Sequence, residues 1–193
     1  MYMLEWDACR IVIRTVGEGM KNGLIHLYIG DGKGKTTASI GLSVRAAGRD
    51  KTVVFAQFLK TEATGELASL EKLGIRVIRS AVKLGFTHRM DDAARTRCGE
   101  EQRRILALVL EVLSAIPVDL LVLDEVLDAV NTGILAEGAF RSLVENKAPE
   151  LELVLTGRHP PQWLIDRADY VSEIKKIKHP FDRGIQARIG IER

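Results

Sequence analysis

The chain has few cysteines and no long hydrophobic run. Its 193 residues include two cysteines, Cys9 and Cys98, which lie far apart and without the spacing of metal ligands. This usage excludes a disulfide-stapled secreted scaffold and favours a reducing compartment, so we expect a cytoplasmic protein. The longest apolar stretches, such as residues 105–110, are far shorter than the ~20 residues of a membrane-spanning helix.

Charge of one sign and aromatic residues are also scarce. The formal net charge is +2, and aromatic residues make up 5% of the chain. Since no basic stripe with interleaved aromatics is present, we expect no nucleic-acid partner. The hydrophobic fraction of 46% is that of an ordinary globular protein. A chain of this length favours one compact domain, because domains usually hold ~100–200 residues.

Residues 1–22 stand apart from the rest of the chain, because their periodicity is weak. The codons of Gly17 to Gly19 can spell a ribosome-binding sequence directly before Met20, which would make Met20 the natural start. The alternative is an N-terminal arm that packs over the active site. Both interpretations stay open, and the folded domain is predicted for residues 23–193.

From residue 24 onward, short apolar runs alternate with helical patterns, which is typical of a parallel α/β sheet. Strands are predicted over 24–29, 52–58, 75–78, 119–124, 151–155, 170–174 and 186–191. Helices are predicted over 35–47, 67–73, 92–116, 136–146 and 161–168.

A glycine-rich segment joins the first predicted strand to the first predicted helix. It consists of Gly30, Asp31, Gly32, Lys33, Gly34, Lys35, Thr36 and Thr37. Glycines let backbone N–H groups turn inward around an anion, and the helix N-terminus adds its positive dipole end. Lys35 can supply a charge to the phosphates, and Thr36 a hydroxyl to Mg²⁺. We therefore predict a nucleotide-binding phosphate loop and a single RecA-like P-loop α/β domain, with a mostly parallel central sheet flanked by helices.

The loop departs from the usual pattern. Three residues separate Gly30 from Gly34, whereas an ordinary phosphate loop has four between its first glycine and the Gly-Lys pair. This shorter loop predicts that the triphosphate is held differently than in an ordinary ATPase.

An acidic pair follows the buried fourth strand. Asp124 and Glu125 stand at its carboxyl end, where such folds hold Mg²⁺ (or Mn²⁺) opposite the phosphate loop. Two arrangements stay open: Glu125 holds the metal while Thr36 orients Asp124, or the reverse. Polar clusters after the other strands, including Gln57 and Lys60, predict one site along this edge of the sheet.

These motifs resemble the P-loop ATP:corrinoid adenosyltransferases of cobalamin synthesis and salvage. The resemblance covers the chain from about Gly23 to its C-terminus. It is carried by the phosphate loop and by residues 57–60, 85–87, 122–125, 156–158, 178–187 and 190–192.

The resemblance implies an unusual use of ATP. In that family a reduced Co(I) corrinoid attacks the 5′ carbon of the ribose, which forms a cobalt–carbon bond and expels triphosphate. The protein then positions the reactants and stabilises charge. The residues expected to do so are Lys35 and Glu125 as catalytic groups, with Lys33 on the triphosphate. Arg45 matches a basic position of the family, and a solvated helix arginine is the alternative.

The resemblance also implies a corrinoid contact at Phe86. Some relatives carry a second aromatic residue two positions later, but this chain has His88 there. His88 could pack flat in the same role or hydrogen-bond the corrin amides. A flavoprotein reductase is a candidate electron source, and the family implies a homodimer. The main rival function is a P-loop ATPase or kinase that cleaves between phosphates.

Overall fold

The computed structural model describes residues 22–60, 64–82 and 90–192. Within these residues, strands and helices alternate as the sequence predicts. The strands are β1 (Ile25–Ile29), β2 (Val53–Gln57), β3 (Arg76–Arg79), β4 (Leu120–Asp124), β5 (Glu152–Gly157) and β6 (Tyr170–Glu173). The helices are α1 (Lys35–Ala47), α2 (Gly65–Lys72), α3 (Asp92–Ala115), α4 (Val126–Asn131), α5 (Glu137–Glu145) and α6 (Gln162–Arg167), followed by a 3-10 helix at Pro180–Arg183.

The described strands form one six-stranded sheet in the order β3-β2-β4-β5-β1-β6. Every neighbouring pair is parallel, which confirms the predicted α/β class. Because all the strands run in the same direction, their carboxyl ends lie at one edge of the sheet. The phosphate loop after β1 and the acidic pair after β4 therefore share that edge.

Helices cover both faces of the sheet. Alternate residues of β2 point to opposite faces, so Val53 and Phe55 pack into one buried cluster while Val54 and Ala56 pack into the other. The first cluster lies under α1 and α2, and the second lies under helices that include α3 and α5. Strands buried on both faces explain why the sequence reads as continuous apolar runs.

The long helix α3 follows its sequence pattern closely. Asp91 begins it by accepting a hydrogen bond from the Ala94 N–H at 2.7 Å, and the helix ends before Pro117. Its buried face includes Ile105, Val109 and the polar Gln102. Of the helices in the described residues, none is both long and apolar enough to cross a membrane.

Two features differ from the predictions. Residues 186–191, which were predicted as a strand to close the sheet, form none; they are exposed and irregular and enter a turn at Ile189, which is 86% exposed. Their backbone closes a local turn instead, in which the Ile191 and Glu192 N–H groups donate to the Arg188 carbonyl at 3.3 Å and 3.0 Å. The second difference is α4, which the sequence patterns did not predict because six residues are too short to show a helical period.

Candidate active site

The phosphate loop is shaped by its glycines. Gly30 has φ 110° and Gly34 has φ 129°, both in the region that favours glycine. The Gly32 N–H donates to the Ile174 carbonyl at 2.8 Å, so the chain after β6 lies directly against the loop. A Cβ atom on Gly30 would lie 2.4 Å from that same carbonyl oxygen. The sequence prediction of a loop between β1 and α1 is thus confirmed.

Lys35 lies across the inside of this loop. Its ammonium donates to the carbonyls of Gly30 at 2.7 Å and Gly32 at 2.9 Å. Burial lowers the pKa of Lys35, and the positive charge of Arg158 lowers it further. The loop therefore holds a cation at its centre, where phosphate oxygens would meet it.

Asp124 is the most heavily bonded acid of the site. It ends β4, is fully buried, and accepts hydrogen bonds from Thr36 Oγ1 at 2.9 Å and Thr156 Oγ1 at 2.7 Å. Lys60 Nζ donates to it at 2.7 Å. Four elements of the fold, α1, β4, β5 and the segment after β2, thus converge on one carboxylate.

Glu125 follows with a left-handed backbone, at φ 59°, and begins α4. Its side chain is 36% exposed and lies 3.6 Å from Lys60 Nζ. Burial raises the pKa of Glu125 to about 7; Lys60 opposes this shift, and the charges of Asp124 and Asp128 add to it. Of the two open arrangements, the structure has Thr36 bonded to Asp124. Glu125 is the more exposed of the two carboxylates.

The donor set fits a magnesium ion bound together with phosphates. Mg²⁺ takes oxygen ligands and usually uses one or two carboxylates plus substrate phosphates. Thr36 Oγ1 and the two carboxylates of Asp124 and Glu125 supply such oxygens, and the ammonium of Lys60 already lies against them as a cation. Over the described ranges, no group of three His, Cys, Asp or Glu side chains could hold a metal on its own. The set is therefore incomplete without phosphate oxygens.

The exposed side chains of the loop contact the C-terminal tail, residues 174–192. Asp31 accepts a hydrogen bond from the Lys176 N–H at 3.0 Å, which lowers the pKa of that carboxyl. Lys33 Nζ lies 3.2 Å from Glu192. Thr37 is exposed in the first turn of α1.

A cleft of about 390 Å³ opens beside the loop. Its lining combines Asp31 with Arg158, His159, Lys176, His179 and Phe181. His179 also accepts a hydrogen bond from the Phe181 N–H at 3.1 Å, as expected for a His-Pro turn. The clusters after β1 and β5 and in the tail thus meet at the predicted edge of the sheet.

One predicted site residue, Arg45, lies away from this edge of the sheet. Arg45 is exposed in the last turn of α1, about 15 Å along the helix axis from Lys35. Phe86 and His88 lie outside the described residues.

The sequence motifs did not indicate the role of Gln102. This residue of α3 is fully buried, and its Oε1 accepts a hydrogen bond from the Leu59 N–H at 2.9 Å. A glutamine on the apolar face of α3, three residues before Ile105, was the available signal. Thr156 and Lys60 were expected near the site, but their bonds to Asp124 were not.

Comparisons with known proteins agree with this geometry. The family model described as ATP:corrinoid adenosyltransferase BtuR/CobO/CobP matches residues 21–193. The corrinoid adenosyltransferase CobA of Salmonella typhimurium is 33% identical over 189 residues, covering 95% of this chain and 92% of that protein. A corrinoid adenosyltransferase of a Sinorhizobium species is 34% identical over 195 residues, covering 100% of this chain and 90% of that protein. A corrinoid adenosyltransferase of Escherichia coli is 32% identical over 185 residues, covering 89% of this chain and 86% of that protein. This chain belongs to the ATP:corrinoid adenosyltransferase family.

Proposed function

We propose that this enzyme transfers the 5′-deoxyadenosyl group of ATP to the Co(I) centre of a reduced corrinoid and releases triphosphate. Adenosyl transfer from ATP to a corrinoid is what its family does. The observation that carries the proposal is the pairing of a short phosphate loop with Asp124 and Glu125 at one edge of the sheet. That edge can hold the triphosphate intact.

The reaction asks the protein to stabilise a leaving group. The electron pair of Co(I) forms the bond to C5′ while the C5′–O bond breaks, and that bond's electrons leave on the triphosphate. Lys35, the loop N–H groups and the exposed Lys33 place positive charge where this negative charge develops. Cobalt is itself the nucleophile, so no side chain has to act as one.

We assign the metal to Thr36, Asp124 and Glu125. Mg²⁺, or Mn²⁺ in its place, would neutralise charge on the triphosphate when it binds there. Thr156 holds Asp124 for this purpose, since its hydroxyl lies 2.7 Å from the carboxylate. Glu125 would serve as a ligand rather than as a base.

The corrinoid is assigned to Phe86 and His88 on the basis of the sequence motif. Replacing each in turn by alanine is the test, with reduced Co(I) corrinoid and oxidised Co(II) corrinoid plus a reductant compared side by side. A loss confined to the Co(II) reaction assigns the pair to axial-ligand displacement. Equal rates for variant and wild type with both forms would remove the pair from the site.

A homodimer is proposed because the family resemblance implies one. Light scattering on the purified chain tests it. A flavoprotein reductase would supply the electron that reduces the corrinoid to Co(I). Because the reaction consumes ATP, the cytoplasm is the favoured location of the enzyme.

The decisive experiment supplies ATP, Mg²⁺ and chemically reduced Co(I) corrinoid. The visible spectrum should change to that of the adenosylated corrinoid, with one triphosphate released for each product formed. Lys35→Ala should slow the reaction by roughly 10²–10³-fold, as expected when a charge-stabilising donor is lost. Lys72→Ala, on the exposed end of α2, is the matched control. ADP and phosphate formed without corrinoid would instead identify an ATPase.

A further inference from the structure

The ammonium of Lys60 lies where a divalent cation would be expected. It is 3.1 Å from Thr36 Oγ1, 2.7 Å from Asp124 Oδ2 and 3.6 Å from Glu125 Oε1. These are the oxygens that the proposed function assigns to the metal. One ammonium of the protein therefore already offsets part of the negative charge of the metal's ligand set.

The turn that follows β2 holds Lys60 in that position. β2 ends at Gln57, and Leu59 then takes a left-handed backbone with φ 57°. The Leu59 N–H donates to Gln102 Oε1 at 2.9 Å, and Gln102 is fully buried on α3. Because Gln102 of the core helix α3 holds the turn that follows β2, Lys60 is aimed inward and its side chain is only 20% exposed.

Electrostatics favour this arrangement. Burial by itself pulls the pKa of Lys60 down, but the charges of Asp124 and Glu125 outweigh burial, and the pKa lies above its usual value. A fully buried Asp124 without a cationic partner would be strongly unfavourable. Two cations cannot share these oxygens at van der Waals distance without strong mutual repulsion.

We propose that Lys60 is an internal cation that competes with the divalent metal for Thr36 and Asp124. In the nucleotide-free enzyme the ammonium occupies the oxygens, and metal binds weakly. The phosphates of ATP add negative charge to the site. Lys60 can then pair with a phosphate, and the site accommodates both the ammonium and the metal. Metal and nucleotide binding are then positively coupled, and Lys60 is the residue that couples them. This inference rests on the proposed metal role of Thr36 and Asp124.

The test measures Mn²⁺ binding by electron paramagnetic resonance of the free ion, with and without ATP, against a protein-free titration that accounts for the Mn²⁺ bound by ATP itself. Lys60→Met keeps the length of the side chain and removes its charge. We expect Lys60→Met to bind Mn²⁺ without nucleotide at least about tenfold more tightly than wild type, which lies within the usual range of coupling factors. ATP should tighten Mn²⁺ binding less in the variant than in wild type.

The control is Lys51→Met. Lys51 also pairs with an aspartate, since its Nζ lies 3.0 Å from Asp119, but it precedes β2 at the opposite edge of the sheet. Its Mn²⁺ affinity should equal that of wild type. If Lys60→Met fails to fold without metal, added Mn²⁺ should restore its thermal transition, and Lys60→Gln provides the binding curve.

Two results would overturn the inference in different ways. Unchanged or weaker Mn²⁺ binding by Lys60→Met without nucleotide would remove the competition while leaving the proposed metal site intact. If neither wild type nor Lys60→Met binds Mn²⁺ even with ATP present, the assignment of Thr36 and Asp124 to a metal fails, and the inference fails with it.

Discussion

The hydroxyl of Thr156 donates to Asp124 Oδ1 at 2.7 Å, and the hydroxyl oxygen of Thr156 accepts a hydrogen bond from the Glu125 N–H at 2.9 Å. One side chain on β5 thus fixes both acids at the end of β4. The contact joins residues 32 positions apart in the chain and lies fully inside the protein. Only the adjacency of β4 and β5 in the sheet makes it possible.

Thr156→Val should therefore weaken both stability and activity. Valine keeps the shape, but it leaves the Glu125 N–H unpaired and removes one donor from Asp124. An unsatisfied buried group costs about 1–3 kcal/mol, which urea unfolding would measure. We expect kcat/KM for ATP to fall at least about tenfold, since ~1.4 kcal/mol of lost transition-state stabilisation has that effect.

Thr96→Val is the matched control for Thr156→Val. Its hydroxyl bonds the Asp92 carbonyl on the exposed side of α3, far from the acids. Its activity should match that of wild type. Wild-type stability and kcat/KM in Thr156→Val would show that this hydroxyl does not position the acids.

Glu125 should make the metal-free enzyme less stable as the pH rises. Burial raises its pKa from 4.5 to about 7, so between these values the folded protein keeps a proton that the unfolded chain has lost. The corresponding stability is present below pH 4.5 and is lost as the pH rises through about 7.

Glu125→Gln removes this titration. The variant should gain stability over wild type as the pH rises from 5 to 8, reaching ~1 kcal/mol because the partly exposed carboxylate is screened by solvent. Thermal unfolding with a chelator present would measure it. Glu100→Gln, on the exposed side of α3, should follow the wild-type curve. A constant difference between Glu125→Gln and wild type across this range would contradict the raised pKa.

Some of the fold was predictable from local patterns. The prediction of a helix over 35–47 matches α1, because a glycine-rich turn precedes it and Gly48 ends it. The predicted strand over 186–191 was wrong. β6 leaves one edge of the sheet free, but the segment closes a local turn on the Arg188 carbonyl instead of pairing there. Local sequence carries no record of that choice.

The candidate site was predictable in outline for a related reason. Residues that follow parallel strands must meet at one edge, so Lys35 and Asp124 could be placed together. The contact between Lys60 and Asp124 could not, because it depends on β2 lying beside β4 in the sheet. Gln102 acts through Leu59 from a core helix, and no motif marks such a role.

Gly30 should not tolerate a side chain. Gly30→Ala would place its Cβ 2.4 Å from the Ile174 carbonyl oxygen at φ 110°, so either the loop or the tail must move. We expect destabilisation of at least ~2 kcal/mol in urea unfolding and loss of ATP binding by calorimetry.

Gly41→Ala is the control for Gly30→Ala. It lies within α1, and its added Cβ meets nothing within 4 Å. Alanine there should raise the stability by about 0.5–1 kcal/mol, the usual gain over glycine in a helix. A stable Gly30→Ala that binds ATP normally would show that the tail does not constrain the loop.

Glu192 should hold the end of the tail against the phosphate loop. Hydrogen bonds from Arg188 lower the pKa of Glu192 to about 2, and Lys33 Nζ lies 3.2 Å away. A carboxylate with a depressed pKa stabilises its contacts at neutral pH and loses them only as the pH falls through about 2. The wild-type tail should therefore stay in place at pH 4.

Glu192→Gln removes the charge and should release the tail at every pH. The Arg188 N–H, which donates to Glu192 Oε2 at 2.9 Å, should exchange with solvent faster in the variant at pH 6. Hydrogen exchange read by NMR measures this amide, and a carboxyl titration of wild type should give a midpoint of about 2. Glu150→Gln, in an exposed loop before β5, should leave the exchange rate unchanged. Equal Arg188 exchange in Glu192→Gln and wild type would mean that Glu192 does not hold the tail, since the carboxylate is the acceptor for that amide.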